Sequence, residues 1–179
     1  MKDTLSKYDY NHVNANMLSY IAGIVDGEGT IDFDKKYSKA YLAADYYEEL
    51  PSFSLNPRVR VCNTFYSLIE RLQLVLGGRI VSNNRPRKSN HKKEYSLEIT
   101  GDRAVAVVKA LYPYLIIKRD QAYEILEYDS CNYLHRDRRA WKTKNTVPTN
   151  ILSMRQGYYS RIHYLNSKRD NSKEANNGR

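Results

Sequence analysis

Two carboxylates, Asp26 and Glu28, flank Gly27 where a helical hydrophobic pattern that opens near Asn14 comes to its end. A carboxylate there suits a hard cation such as Mg2+, which takes one or two protein oxygens and fills its other positions with water and phosphate. One acid is too little for a self-contained site, so the surrounding elements must bring another. The helix that carries them has two faces. Ser19, Gly23 and Gly27 lie four apart and so share one face. Side chains this small let a second backbone approach closely. Leu18, Ile21 and Val25, with Met17, Tyr20 and Ile24 beside them, form the apolar stripe of a helix packed on a core. The pattern therefore predicts a helix between a core and a second helix, with a second carboxylate brought near Glu28. The plainer reading is a glycine C-cap with Asp26 as a local hydrogen-bonding residue.

The nonamer Ile21-Ala-Gly-Ile-Val-Asp-Gly-Glu-Gly29 resembles the signature of the LAGLIDADG homing endonucleases, with Glu28 where the family name spells Asp. The resemblance covers roughly residues 14–166. It implies an α+β domain of αββαββα order, with a saddle-shaped antiparallel or mixed sheet covered by helices on one face. It also implies a site-specific double-strand DNA endonuclease that acts as a homodimer. The target would be a long pseudo-palindromic site cut across the minor groove to leave short 3′ overhangs. Glu28 would bind Mg2+, with the Gly27 carbonyl beside it; Mn2+ would substitute, and Ca2+ would support binding without cleavage. Ser19, Ala22, Gly23, Asp26 and Gly27 would form the dimer contact. The chain has no second nonamer, so one chain supplies one copy of the central helix.

A second stretch, Leu111-Tyr-Pro-Tyr-Leu-Ile-Ile-Lys118-Arg-Asp-Gln-Ala122, resembles the family segment that holds a basic active-site residue, which makes Lys118 the expected electrostatic catalyst. Its plainer reading is a surface lysine at a helix start. Asn63 matches a position near the metal-bound water and reads equally well as a helix N-cap. The family has a further basic residue nearby where this chain has Phe65-Tyr66-Ser67, and that departure leaves the second cation unplaced, with Arg58 or Arg60 as the substitutes on offer. The rival function within the same fold is a DNA- or RNA-binding protein without cleavage, such as an intron maturase or a regulator. A third reading is an interaction protein that uses the helix only to dimerise.

At 179 residues and 41% hydrophobic, the chain fits one domain. An irregular arm is expected over residues 1–13 and a disordered polar tail over 167–179. The formal charge of +9 points to a polyanion, nucleic acid before an anionic membrane. No apolar run approaches the ~18 residues of a membrane span, and the N-terminus lacks a signal-peptide core. An intracellular protein is expected, in an organelle or a prokaryotic cytoplasm. Cys62 and Cys131 do not make a disulfide framework, and Cys131 with His135 lacks the second pair of ligands that a structural zinc needs. None of the four histidines sits in a metal-nuclease pattern.

Alternation predicts strands at Thr30–Lys35, at Phe53–Val61 with an interruption near Pro57, at Arg79–Asn84 and at Glu94–Thr100. Helices are expected over Thr64–Leu76, Asp102–Leu111 (with Asp102 as cap), Arg119–Tyr128 and from Thr149. Residues 36–51 are expected to join the first two strands. The solvent face of the strands would present Arg58 and Arg60, with Asp32 and Asp34 near them. The segment 85–93 adds Arg85, Arg87, Lys88, Lys92 and Lys93. Arginine reads guanine's major-groove edge and aspartate accepts from cytosine, whereas loop lysines meet phosphate. The basic run Arg136–Lys144 is read either as a phosphate contact or as a linker.

Overall fold

The computed structural model describes residues 8–37, 53–83, 92–132, 147 and 149–171. Helix α1 (Ala15–Glu28) starts where Asn14 accepts from the Met17 N–H at 2.8 Å. It runs straight into β1 (Gly29–Tyr37). Then come β2 (Phe53–Asn63), α2 (Tyr66–Leu76), β3 (Arg79–Asn83), β4 (Glu94–Thr100) and α3 (Asp102–Leu111). A single 3-10 turn, Tyr112–Tyr114, leads towards α4 (Arg119–Asn132), and α5 (Thr149–Asn171) follows.

The four strands form one sheet in the order β1-β2-β4-β3, and every pair is antiparallel. Ile31 and Phe33 of β1, Phe53, Leu55, Val59 and Val61 of β2, and Leu97 and Ile99 of β4 point to one side and are buried. The helices cover that side. Leu18, Ile21, Ala22 and Val25 of α1 join Ile69 and Leu72 of α2, Val105 and Val108 of α3, Ile125 and Tyr128 of α4, and Ile162 of α5 in a single core. The opposite side of the sheet carries the polar half of each alternation.

Several expectations are corrected. β2 is not interrupted at Pro57, which pairs with Phe33 in an unbroken ladder. A residue's N–H and C=O point to the same side of a strand, and the Pro57 carbonyl is turned away from β1 to accept from the Gly101 N–H at 2.9 Å. The missing donor therefore faces a stretch where β4 does not pair, and costs no ladder bond. The N-cap of α3 is Gly101, with φ +67°, and Asp102 is the first helical residue, favourably placed at the positive end of the dipole. α2 begins at Tyr66, not Thr64, and α4 continues past Tyr128 to Asn132.

α5 runs to Asn171, through the expected 167 boundary. A last turn needs no apolar face, and Ser167 donates to the Tyr164 carbonyl at 2.9 Å. The arm before Tyr8, the join between β1 and β2, and the tail after Asn171 lie outside the described residues. Among the described residues no helix is long and apolar enough to cross a membrane.

Candidate functional site

The end of α1 is held by one carboxylate. Asp26 is buried and accepts from the backbone N–H groups of Ile116 (2.8 Å), Ile117 (3.1 Å) and Lys118 (2.8 Å). Lys118 then caps α4, its carbonyl accepting from the Ala122 N–H at 3.0 Å. The Lys118 side chain turns back, buried, and its ammonium donates to the Asp26 backbone carbonyl. The cation thus meets the negative end of the α1 dipole and not the positive end of its own helix. Burial pulls the Asp26 pKa up, but the amides of Ile116, Lys118 and Ile117, with the Lys118 ammonium, outweigh it and leave the carboxyl below its ordinary value.

Because Ile116 and Ile117 turn their backbones towards Asp26, their side chains face out; Ile116 is 86% exposed. The last carbonyls of a helix have no partner within it. The Val25 carbonyl is taken by the Gly29 N–H and that of Asp26 by Lys118. Those of Gly27 and Glu28 remain outside the helical ladder, and the Glu28 side chain is exposed.

The stripe on α1 separates into two groups. Ser19, Gly23 and Gly27 are exposed, and a Cβ built on either glycine meets nothing within 4 Å among the described residues. Ala22 and Asp26, expected at the same contact, face into the protomer and are buried, Ala22 against the core and Asp26 on the amides of Ile116, Ile117 and Lys118 just before α4. At about 100° per residue, Ala22 lies about 100° and Asp26 about 60° from the centre of the open stripe, both on its core-facing flank.

Register brings Asn63 to the same end of the sheet, since Gly29 pairs with Val61 two residues before it. Its Oδ1 accepts from the Phe65 N–H at 2.8 Å, so it shapes the turn into α2. Phe65 and Tyr66 are exposed there, and Tyr66 stacks edge-on to Tyr95 at 4.9 Å. Lys93 lies over the Tyr95 ring, and Lys92 is exposed. Sequence reasoning passed over Gln121, one turn past Lys118. It is buried, its amide N–H groups reach the Leu165 carbonyl and Asn166 Oδ1, and its Oε1 has no partner among the described residues. Its place three residues after Lys118 was the available signal.

On the outward sheet face, Arg58 makes two 2.8 Å bonds to the two oxygens of Asp32, which raise its pKa. The first partner of Asp32 is therefore an arginine of its own sheet. Asp34 pairs with Lys36 at 3.4 Å and Glu98 with Arg79 at 3.2 Å. Arg60 has no ion pair among the described residues. Arg85, Arg87, Lys88 and the 136–144 run lie outside them.

By sequence the chain matches no family model and no curated protein. By structure it is similar to the homing endonuclease I-CvuI, solved with its target in the presence of Ca, at TM-score 0.59 and 19% identity over 84% of this chain and 82% of that one. The archaeal intron-encoded homing endonuclease I-Vdi141I, complexed with DNA, gives TM-score 0.59 and 15% identity over 84% of each chain. The meganuclease I-SmaMI, bound to uncleaveable DNA, gives TM-score 0.55 and 17% identity over 83% of this chain but 45% of that one. The chain has the LAGLIDADG homing endonuclease fold, in agreement with the resemblance carried by its nonamer.

Proposed function

We propose that this chain is one subunit of a homodimeric, divalent-metal-dependent DNA endonuclease acting on a long pseudo-palindromic duplex. The observation that carries the reading is the open face of α1. Glycine inside a helix costs roughly 0.5–1 kcal/mol relative to alanine, and at Gly23 and Gly27 the protomer has room for a methyl group. Packing within the protomer gives no reason for either glycine. A second copy of the same helix against Ser19, Gly23 and Gly27 gives one, and it brings a second Glu28 to the axis.

The donors at the end of α1 fit Mg2+ or Mn2+: they are oxygens only, an exposed carboxylate and a carbonyl outside the ladder. Among the described residues no three His, Cys, Asp or Glu side chains group closely enough to hold a metal. The protomer thus offers a half-site, completed by the partner and by substrate phosphates. When bound, the ion supplies a water of lowered pKa and neutralises charge on the phosphoryl oxygens. Glu28 and the Gly27 carbonyl hold it. Lys118 keeps the helix end in place and adds positive potential beside it. Asn63 spends its oxygen on Phe65 and keeps its N–H groups for a water or a phosphate oxygen. The outward sheet face lies against the major groove, which admits a two-stranded ribbon.

A binder of the same fold without cleavage is the second reading. It is favoured by the uncharged stretch Phe65-Tyr66-Ser67 near which the family has a further cation, and by the engagement of Lys118 with a backbone carbonyl. Cleavage of a plasmid library by the purified chain separates the two. The nuclease cuts with Mg2+ and only binds with Ca2+, and Glu28→Gln abolishes cutting while binding persists. Binding without cutting under any metal selects the second reading. Equal cutting by Glu28→Gln removes Glu28 from the chemistry.

A further inference from the structure

Antiparallel register arranges the outward sheet face as a grid. Asp32, Arg58 and Thr100 form one row, and Thr30, Arg60, Glu98 and Arg79 the next. Across the described strands this face is electrically balanced: Asp32, Asp34, Glu94 and Glu98 are matched one for one by Lys36, Arg58, Arg60 and Arg79. The chain as a whole carries +9. The described strands of this face carry none of that excess, and a neutral surface releases few counterions from a phosphate backbone.

Within the grid Arg58 differs from its neighbours. Its Nε and Nη2 each reach a separate Asp32 oxygen at 2.8 Å, and the two side chains are 23% and 19% exposed. Arg79 is held at one point and is 77% exposed, and Arg60 has no ion pair among the described residues. The two-point pair consumes the Nε–Nη2 edge of the planar guanidinium. The terminal Nη1–Nη2 edge, two parallel N–H bonds in a fixed plane, stays available. That edge matches the paired acceptors N7 and O6 of guanine. The carboxylate also cancels the net charge that a phosphate contact would use, while fixing the direction in which the fork points. A cation meant for phosphate gains nothing from such a brace; a base reader gains orientation.

We propose that Arg58, held by Asp32, is a specificity-determining reader of guanine and not a phosphate contact. The proposal rests on the DNA-binding part of the reading above and is independent of cleavage.

The test is selection of bound duplexes from a randomised library by the full-length chain in Ca2+. The comparison set is Arg58→Gln, Asp32→Asn and Arg60→Gln, all at partly exposed positions. The wild type should enrich a site with guanine at one position of each half. Arg58→Gln should lose that preference by roughly tenfold or more, shifting towards adenine, and Asp32→Asn should relax it at the same position. Arg60→Gln should leave that position alone. On a mixed-sequence duplex, none of the Arg58 or Asp32 variants should change the slope of log affinity against log salt.

An unaltered enriched site in Arg58→Gln overturns the proposal. So does a uniform loss on all duplexes with a slope shallower by about 0.9, which would mark a phosphate contact. An Asp32→Asn variant that keeps full guanine preference overturns the brace. A wild type that enriches no sequence removes the DNA-reading surface itself, a failure distinct from unchanged selection by the variants.

Discussion

Asp26, expected at a contact between subunits, is taken up instead by the backbone of its own protomer. It stands two positions from Glu28 with the same charge, yet its oxygens are committed to three amides that begin ninety residues later. No local pattern reveals such a partner, because the amides that use it belong to backbone and carry no side-chain signature. Lys118 was legible as a position in a motif; its path to the end of α1 was not. The same contacts tie stability to pH. Burial raises the Asp26 pKa, and the three N–H donors with Lys118 lower it further than burial lifts it. Its folded value thus lies below the unfolded one. The stabilisation is complete above the ordinary carboxylate range near pH ~4 and is lost as pH falls through the folded value. Asp26→Asn should therefore cost roughly 1–3 kcal/mol at neutral pH, since its amide places donors against donors. The variant should also lose less stability than the wild type between neutral pH and pH ~3. Urea denaturation of both proteins with chelator present, at the two pH values, measures this; parallel acid losses would move the linkage to another carboxylate.

The elements were legible where a face of each is buried. Ile31 and Phe33, or Leu97 and Ile99, alternate with polar residues because one side of the sheet meets helices and the other meets solvent, and β4 and α3 fall at their expected bounds. Pro57 misled because the side of the strand that lacks a donor is a property of the sheet and not of the sequence. The extent of α5 was missed because its last turn has no apolar residue to mark it. The glycines divide along the same line. Gly78 has φ +97°, and a Cβ there would come within 2.7 Å of the Glu98 carbonyl oxygen. Gly78→Ala should cost roughly 1–3 kcal/mol from backbone strain alone, with further loss if β3 is displaced from β4; thermal unfolding reads both. Gly23 lies at the other extreme. Gly23→Ala meets no atom of its own protomer, so any loss of stability that grows with protein concentration reports a second copy on that face. Gly23→Leu should keep the fold, by circular dichroism, and sediment as a monomer. If Gly23→Leu stays a tight dimer, the interface lies elsewhere, with exposed Ile116 and Ile117 the next surface to change.

At the scale of the whole molecule, a formal charge of +9 contrasts with described strands whose outward face carries no net charge. Under the proposed function, the phosphate contacts are therefore expected among cations elsewhere in the sequence. Arg85, Arg87, Lys88, Lys92 and Lys93 provide a dense run of such charge in the sequence between β3 and β4. Each phosphate neutralised by a lysine or arginine contributes about 0.9 to the slope of log affinity against log salt. Replacing Arg87 and Lys88 by alanine should therefore flatten that slope by about 1.8 if both meet phosphate. Binding should weaken alike on every duplex, and the sequence recovered from a randomised library should be unchanged. Arg58→Gln should do the reverse, changing the sequence and leaving the slope. Titrations at several salt concentrations, on one enriched and one unrelated duplex, measure both quantities together. If the Arg87 and Lys88 variant instead alters which bases are chosen, the 85–93 segment reads sequence directly, and the division of labour between Arg58 and that basic run fails.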